Sequence, residues 1–105
     1  MRGLSQKRNK NQKRRALLAR HASLCAAARR LMARKNHDYA HEDDPFRNFR
    51  TFGAFGVLVR LHDKIARLRS FEESGKQAVK DEKILDTVLD IINYAAIYHE
   101  MKEAE

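Results

Sequence analysis

Apolar residues recur at three- and four-residue intervals along three stretches of this chain, about 14–35, 54–72 and 81–101, and that interval is the period of an α-helix rather than a strand. In the first stretch Leu17, Leu24 and Leu31 repeat every seven residues, and Ala28 and Met32 extend the stripe. Leu58, Leu61, Ile65 and Leu68 form the stripe of the second. The third carries a broader face of Ile84, Leu85, Val88, Ile91, Ile92 and Ala95, as a helix packed between two partners would. One proline, four glycines and no long β-branched run leave little to compete with helix. The expected fold class is all-α, with three main helices. Heptad spacing over so few turns is too short to specify a coiled coil.

Two segments interrupt the periodicity. Across 36–53, Pro45 disfavours helix at Asp44 and Gly53 closes the stretch. Tyr39, Phe46, Phe49 and Phe52 make this an aromatic-rich loop, so some of these rings must pack on the helices or line a pocket. From about Ser70 to Lys80 a polar connector containing Gly75 leads to the third helix, capped by Asp81 or a neighbour, where the dipole favours acids in the first turn.

The net charge of +8 conceals an asymmetry. Residues 1–35 hold twelve Lys/Arg and no acid, whereas residues 36–105 hold ten Lys/Arg against fourteen Asp/Glu. The chain divides into a basic arm at 1–13, polar and expected to be disordered, and a single helical domain at 14–105. The arm could contact nucleic acid through phosphates. A domain this small buries a limited core alone, and the broad third face needs cover, so pairing into a homodimeric bundle is expected. The lone Cys25 sits among alanines at an apolar position and reads as an inert, buried thiol. With no signal peptide and no apolar stretch of membrane-spanning length, the expectation is a cytosolic protein that does not contact membrane.

Two helical faces carry the candidate chemistry. Arg60, Asp63, Lys64 and Arg67 fall at i, i+3, i+4 and i+7. Glu82, Asp86, Asp90 and Asn93 fall at i, i+4, i+8 and i+11 on the next helix. Arginines clamp phosphates bidentately, and Mg2+ takes one or two carboxylates together with substrate phosphates and waters. Acids stacked at i+4 repel one another, so their presence asks for a cation. Together the faces suit a nucleotide with Mg2+. Solvated ion-pair ladders are the bland alternative, and they would add little stability. His37 and His41 have the i+4 spacing of a transition-metal pair, but Pro45 and the loop-like surroundings argue against the helix such a pair needs. No Gly-rich phosphate loop, zinc-finger spacing, nucleophile elbow or HExxH motif is present, and no catalytic group can be named.

An ordered series of short motifs carries a family resemblance. They are Lys35-Asn36-His37-Asp38-Tyr39, Phe49-Arg50-Thr51-Phe52-Gly53, Val59-Arg60-Leu61-His62-Asp63-Lys64-Ile65-Ala66-Arg67-Leu68, then Asp81-Glu82, Asp86-Thr87, Asp90 and Asn93-Tyr94. Over roughly residues 33–102 the chain resembles the nucleotide-modification-associated domain of the first type, an all-α family of phages and bacteria. It is more distantly similar to the MazG-like nucleotide pyrophosphohydrolases, although their paired glutamates are absent from the second helix, where Arg60-Leu61-His62-Asp63-Lys64 stands. The resemblance implies binding, with or without processing, of a nucleotide or nucleoside phosphate in a phage or bacterial modified-nucleotide pathway. On that reading Lys35, Asp38 and Tyr39 edge the pocket and Arg60, Lys64 and Arg67 meet phosphates. Asp63, Glu82, Asp86 and Asp90 hold Mg2+, and Asn93 and Tyr94 hold base or sugar. The alternative function is a small basic nucleic-acid-binding accessory protein whose helical body serves dimerisation.

Overall fold

A computed structural model describes the backbone of residues 2–39, 47–74 and 81–105, and the side chains of 7–35, 47–74 and 83–105. The described chain is all-helical, with no strand: α1 spans Arg2–Tyr39, a 3-10 turn spans Arg47–Phe49, α2 spans Gly53–Ser74 and α3 spans Asp81–Ala104. No helix among these residues is long and apolar enough to cross a membrane.

α1 begins twelve residues before the start expected at Arg14, so residues 2–13, expected as a disordered arm, here continue the helix. Arginine, lysine and glutamine are good helix formers, and no proline stands in their way. The molecule is 60 Å long. That is about the length of a 38-residue helix at a rise of 1.5 Å per residue. Only the second half of α1 is docked. Leu24, Leu31 and Met32 are half-buried and Ala28 is fully buried, but Leu17 is 61% and Leu18 60% exposed. The heptad stripe therefore works only over its last two repeats, where α3 lies alongside.

α3 is the central element, packed on α2 over most of its length and on the second half of α1 along another side. At the heart of the α2–α3 contact are Ala54, Val57 and Met101, with Phe49, Tyr94, Ile97 and Tyr98 packed around them. Phe49 thus does what was expected of the aromatic segment, but Phe52 is 79% exposed; Phe46, His37 and His41 lie outside the described residues or side chains. Thr87, on α3, is the buried polar residue among those described, and its hydroxyl donates to the Lys83 carbonyl at 2.8 Å. That back-bond removes the cost of an unpaired buried hydroxyl.

The buried side of α2 differs from the predicted stripe. Ala54 and Val57 are buried and Leu61, Lys64, Leu68 and Phe71 half-buried, whereas Leu58 and Ile65, assigned to the core, are exposed. The face is turned by roughly 50° at 3.6 residues per turn. Small Ala54 lets the backbone of α2 come close to α3, and the turn carries Lys64 to the edge of the interface. On α3, Ile84 and Leu85 are likewise exposed, with Leu89 buried in their place and Ala95 turned outward.

Gly53 starts α2 with a φ of +64°, a left-handed conformation that strains residues with a side chain. It lets the chain turn from the Phe49 region directly into the helix.

Candidate functional site: a carboxylate between two lysines

The rotation of α2 brings three helices together at Asp90. Its Oδ2 pairs with Lys64 Nζ of α2 at 3.1 Å, and its Oδ1 accepts from Lys35 Nζ of α1 at 3.2 Å. Asp90 is only 15% exposed and Lys64 24%, while Lys35 reaches in from the surface at 51%. Two cations thus converge from separate helices on one half-buried carboxylate, and the local excess charge is positive.

Next to this cluster the aromatic groups assemble. The Phe49 and Tyr94 rings meet edge to face, with centroids 6.3 Å apart at 83°. The Arg60 guanidinium lies over the Phe49 ring, 5.2 Å from its centroid. Asn93 is half-buried, and its amide donates to the carbonyl of Ala28 on α1 at 3.0 Å, which ties α1 to α3.

Asp90 is shared by two hollows. A small one of about 80 Å³ is lined by Met32, Lys35, Phe49, Asn93, Tyr94 and Ile97 besides Asp90. A larger one of about 290 Å³ is lined by Arg67, Phe71, Lys83, Asp86 and Thr87 besides Asp90. The larger hollow is lined by two cations and two carboxylates, and the smaller one is mostly apolar and aromatic. A ligand with an anionic end and a flat or sugar-like end matches that pairing chemically.

Of the residues singled out from sequence, Lys35, Asp90, Asn93 and Tyr94 meet around the smaller hollow, Arg67, Asp86 and Asp90 around the larger, and Lys64 joins through its pair with Asp90. Arg60 stands beside them on Phe49. Asp63 does not join: it is exposed and forms no ion pair with a described residue, because it stands about 100° round α2 from Lys64, on the side away from α3. The side chains of Asp38, Tyr39 and Glu82 lie outside those described. Among the described residues no three His, Cys, Asp or Glu side chains gather tightly enough to hold a metal ion by themselves. Asp86 and Asp90 share one hollow, and two carboxylates completed by ligand phosphates and water are what Mg2+ commonly takes. Away from the cluster, Lys102 donates to Glu105 at 3.0 Å. That hydrogen bond raises the Lys102 pKa and lowers that of Glu105, but both groups are exposed and the pair adds little stability.

Two contributors had not been assigned a role. Phe49 supplies the platform under Arg60, and the signal was an excess of rings in an otherwise polar loop. Lys83 shares a face with Asp86, Thr87 and Asp90 at i, i+3, i+4 and i+7, a spacing as visible as that of the acids.

No curated protein and no solved structure matches this chain at a significant level. The family described as nucleotide modification associated domain 1 matches residues 35–99, well over half of the sequence. The matched span begins at Lys35, includes Lys64 and Asp90, and excludes α1 up to Arg34. On that match the chain belongs to the nucleotide modification associated domain 1 family.

Proposed function

We propose that this domain binds a nucleotide or nucleoside phosphate, assisted by Mg2+, within a modified-nucleotide pathway in the cytosol of a bacterium or phage-infected cell. The observation that carries the reading is the convergence of Lys35 and Lys64 on the Asp90 carboxylate. A carboxylate held by two ammonium groups occupies the place of a phosphate oxygen, so a phosphate arriving beside Asp90, which both hollows share, competes with it for both lysines. Arg67 and Lys83 are positioned to take further oxygens, and Phe49, Tyr94 and Asn93 offer ring faces and an amide to the base or sugar. Lys35, Asp38 and Tyr39 edge the same pocket on this reading. Asp90, once displaced, and Asp86 would hold Mg2+ with the phosphates, with Glu82 beside them. Asp63 lies on the wrong side of α2 to contribute in this arrangement. The paired glutamates of MazG-like hydrolases are missing from α2, and the proposal stops at binding.

A ligand that binds only the folded state raises its stability by about 2.7 kcal/mol at a hundred times its Kd. For a domain of this size that is a rise in Tm of roughly 10–20 °C. Thermal unfolding with each common nucleoside and deoxynucleoside triphosphate, with and without Mg2+, is expected to show such a shift for at least one of them. It is also expected to be larger with Mg2+ and to lose that increment in Asp86→Asn. No shift with any triphosphate at millimolar concentration would rule the reading out.

Phe55, Val59, Ile65 and Leu85 leave α2 and α3 with apolar surface that a second copy would cover. A homodimer is expected at micromolar concentration, with a light-scattering mass near twice 12.2 kDa; a single-chain mass would count against it.

A further inference from the structure

We infer that the undocked half of α1, residues 7–23, is a duplex-DNA-binding helix that lies in the major groove. The inference is independent of nucleotide binding and concerns a part of the chain outside the family match.

α1 has two distinct halves. From Leu24 onward it is docked: Leu24 to Ala27 are half-buried, Ala28 is buried and its carbonyl accepts from Asn93 at 3.0 Å. From Lys7 to Ser23 every side chain is exposed except that of Ala16, which is half-buried. This outer half carries seven Lys/Arg and no acid. At 1.5 Å per residue it is roughly 25 Å of helix standing clear of the body.

The arrangement of the charges selects the ligand. Lys7 with Arg14, Arg8 with Arg15 and Lys13 with Arg20 form three i, i+7 pairs, each along its own side of the helix and roughly a third of a turn from the next. A helix lying on an anionic membrane needs one apolar face to insert. Here the large apolar residues are only Leu17 and Leu18, and cations occupy every side. A groove makes the opposite demand. The B-DNA major groove, about 12 Å wide, admits one α-helix and has phosphates along both walls. A helix inside it meets anions on both flanks and uses cations on both. The major groove of A-form RNA is too narrow and deep for this.

Like charges also make the bare helix costly. Lys10 faces Lys7 and Lys13 at three residues and Arg14 at four, spacings at which like charges destabilise a helix. Phosphates on both sides relieve that repulsion, so DNA binding and helicity of this segment are coupled.

The test is fluorescence anisotropy of the full chain with a labelled mixed-sequence DNA duplex of about two turns, over a range of KCl. Five or six neutralised phosphates give a slope of log K against log[salt] of about −4.5 to −5.5. Replacing three exposed residues together (K13Q, R14Q and R15Q) is expected to reduce the slope by about 2.7 and the affinity at least tenfold at about 100 mM salt. Tm and any nucleotide-induced shift should be unchanged, since these side chains touch neither the core nor the Asp90 cluster. Circular dichroism should gain helical signal on adding duplex to the wild type and less in the variant. Four results would overturn the proposal: no duplex binding, an unchanged slope in the variant, equal affinity for an RNA duplex of the same sequence, or equal binding to phosphatidylserine vesicles. Failure of nucleotide binding alone would leave it standing.

Discussion

A Lys64→Ala variant is expected to lose at least tenfold in affinity for a nucleoside triphosphate, while Asp90→Asn gains affinity when Mg2+ is absent. The opposite signs follow from the ion pairs. Lys64 is half-buried at the α2–α3 seam and held 3.1 Å from Asp90, so its ammonium is already placed and partly desolvated. A hydrogen bond from such a charge to phosphate contributes about 1.5–3 kcal/mol, and 1.4 kcal/mol is a factor of ten. Asp90 acts as an internal competitor for that ammonium and for Lys35. Removing its charge frees both lysines and costs the fold about 1 kcal/mol, because Lys35 is half-exposed and water screens it. With Mg2+ present the same substitution removes a carboxylate ligand, so the Mg2+-dependent increment should fall. Calorimetric titration of the wild type, K64A and D90N with and without Mg2+ reads all of these. Equal affinities in the three proteins would reduce the Lys35–Asp90–Lys64 cluster to a structural staple.

Asn93→Asp is expected to destabilise the fold by about 2–3 kcal/mol, a fall in Tm of roughly 10–20 °C. The Asn93 amide is the donor that ties α3 to the Ala28 carbonyl, in a half-buried site. The aspartate side chain has the same size but places a carboxylate oxygen against a carbonyl oxygen, so a hydrogen bond becomes a repulsion that a half-buried site lets water relieve only in part. Truncation to alanine loses the bond without adding a charge, and should cost nearer 1 kcal/mol. Thermal unfolding measures the total, and amide exchange around Ala28 locates it. The docked half of α1 should lose protection first in N93D, before α2 and α3. A variant as stable as wild type, with unchanged exchange at Ala28, would show that apolar contacts alone hold α1.

The identity of the elements was legible from local information. α3 starts at Asp81 as read, and α2 begins one residue and ends two residues from the expected bounds. Periodicity and the scarcity of proline and glycine act within a few turns of chain. α1 starts at Arg2, twelve residues before the helix read at Arg14, in a stretch where high charge argued for a free arm and the residues themselves are good helix formers. Among candidate site residues, Lys64, Asp86, Asp90 and Asn93 could be named because charge and amide groups stacked at helical spacing share a face, whereas Tyr94 entered only with the family resemblance.

The sequence by itself therefore determined an all-α chain, its helical faces and the separation of a basic end from an acidic body, since all three depend on neighbours three or four residues away. Which member of a face meets a partner was decided only in three dimensions. Ala54 and Val57 are small, α3 settles against them, and the whole of α2 turns to suit. Lys64 then meets Asp90 while Asp63, one residue away, faces water. Lys35 joins across 55 residues of sequence, a distance that no local pattern spans. A shift of half a residue's rotation at one helix interface separates a ladder of solvated charges from a carboxylate held between two lysines, and packing volumes set that rotation, not charge.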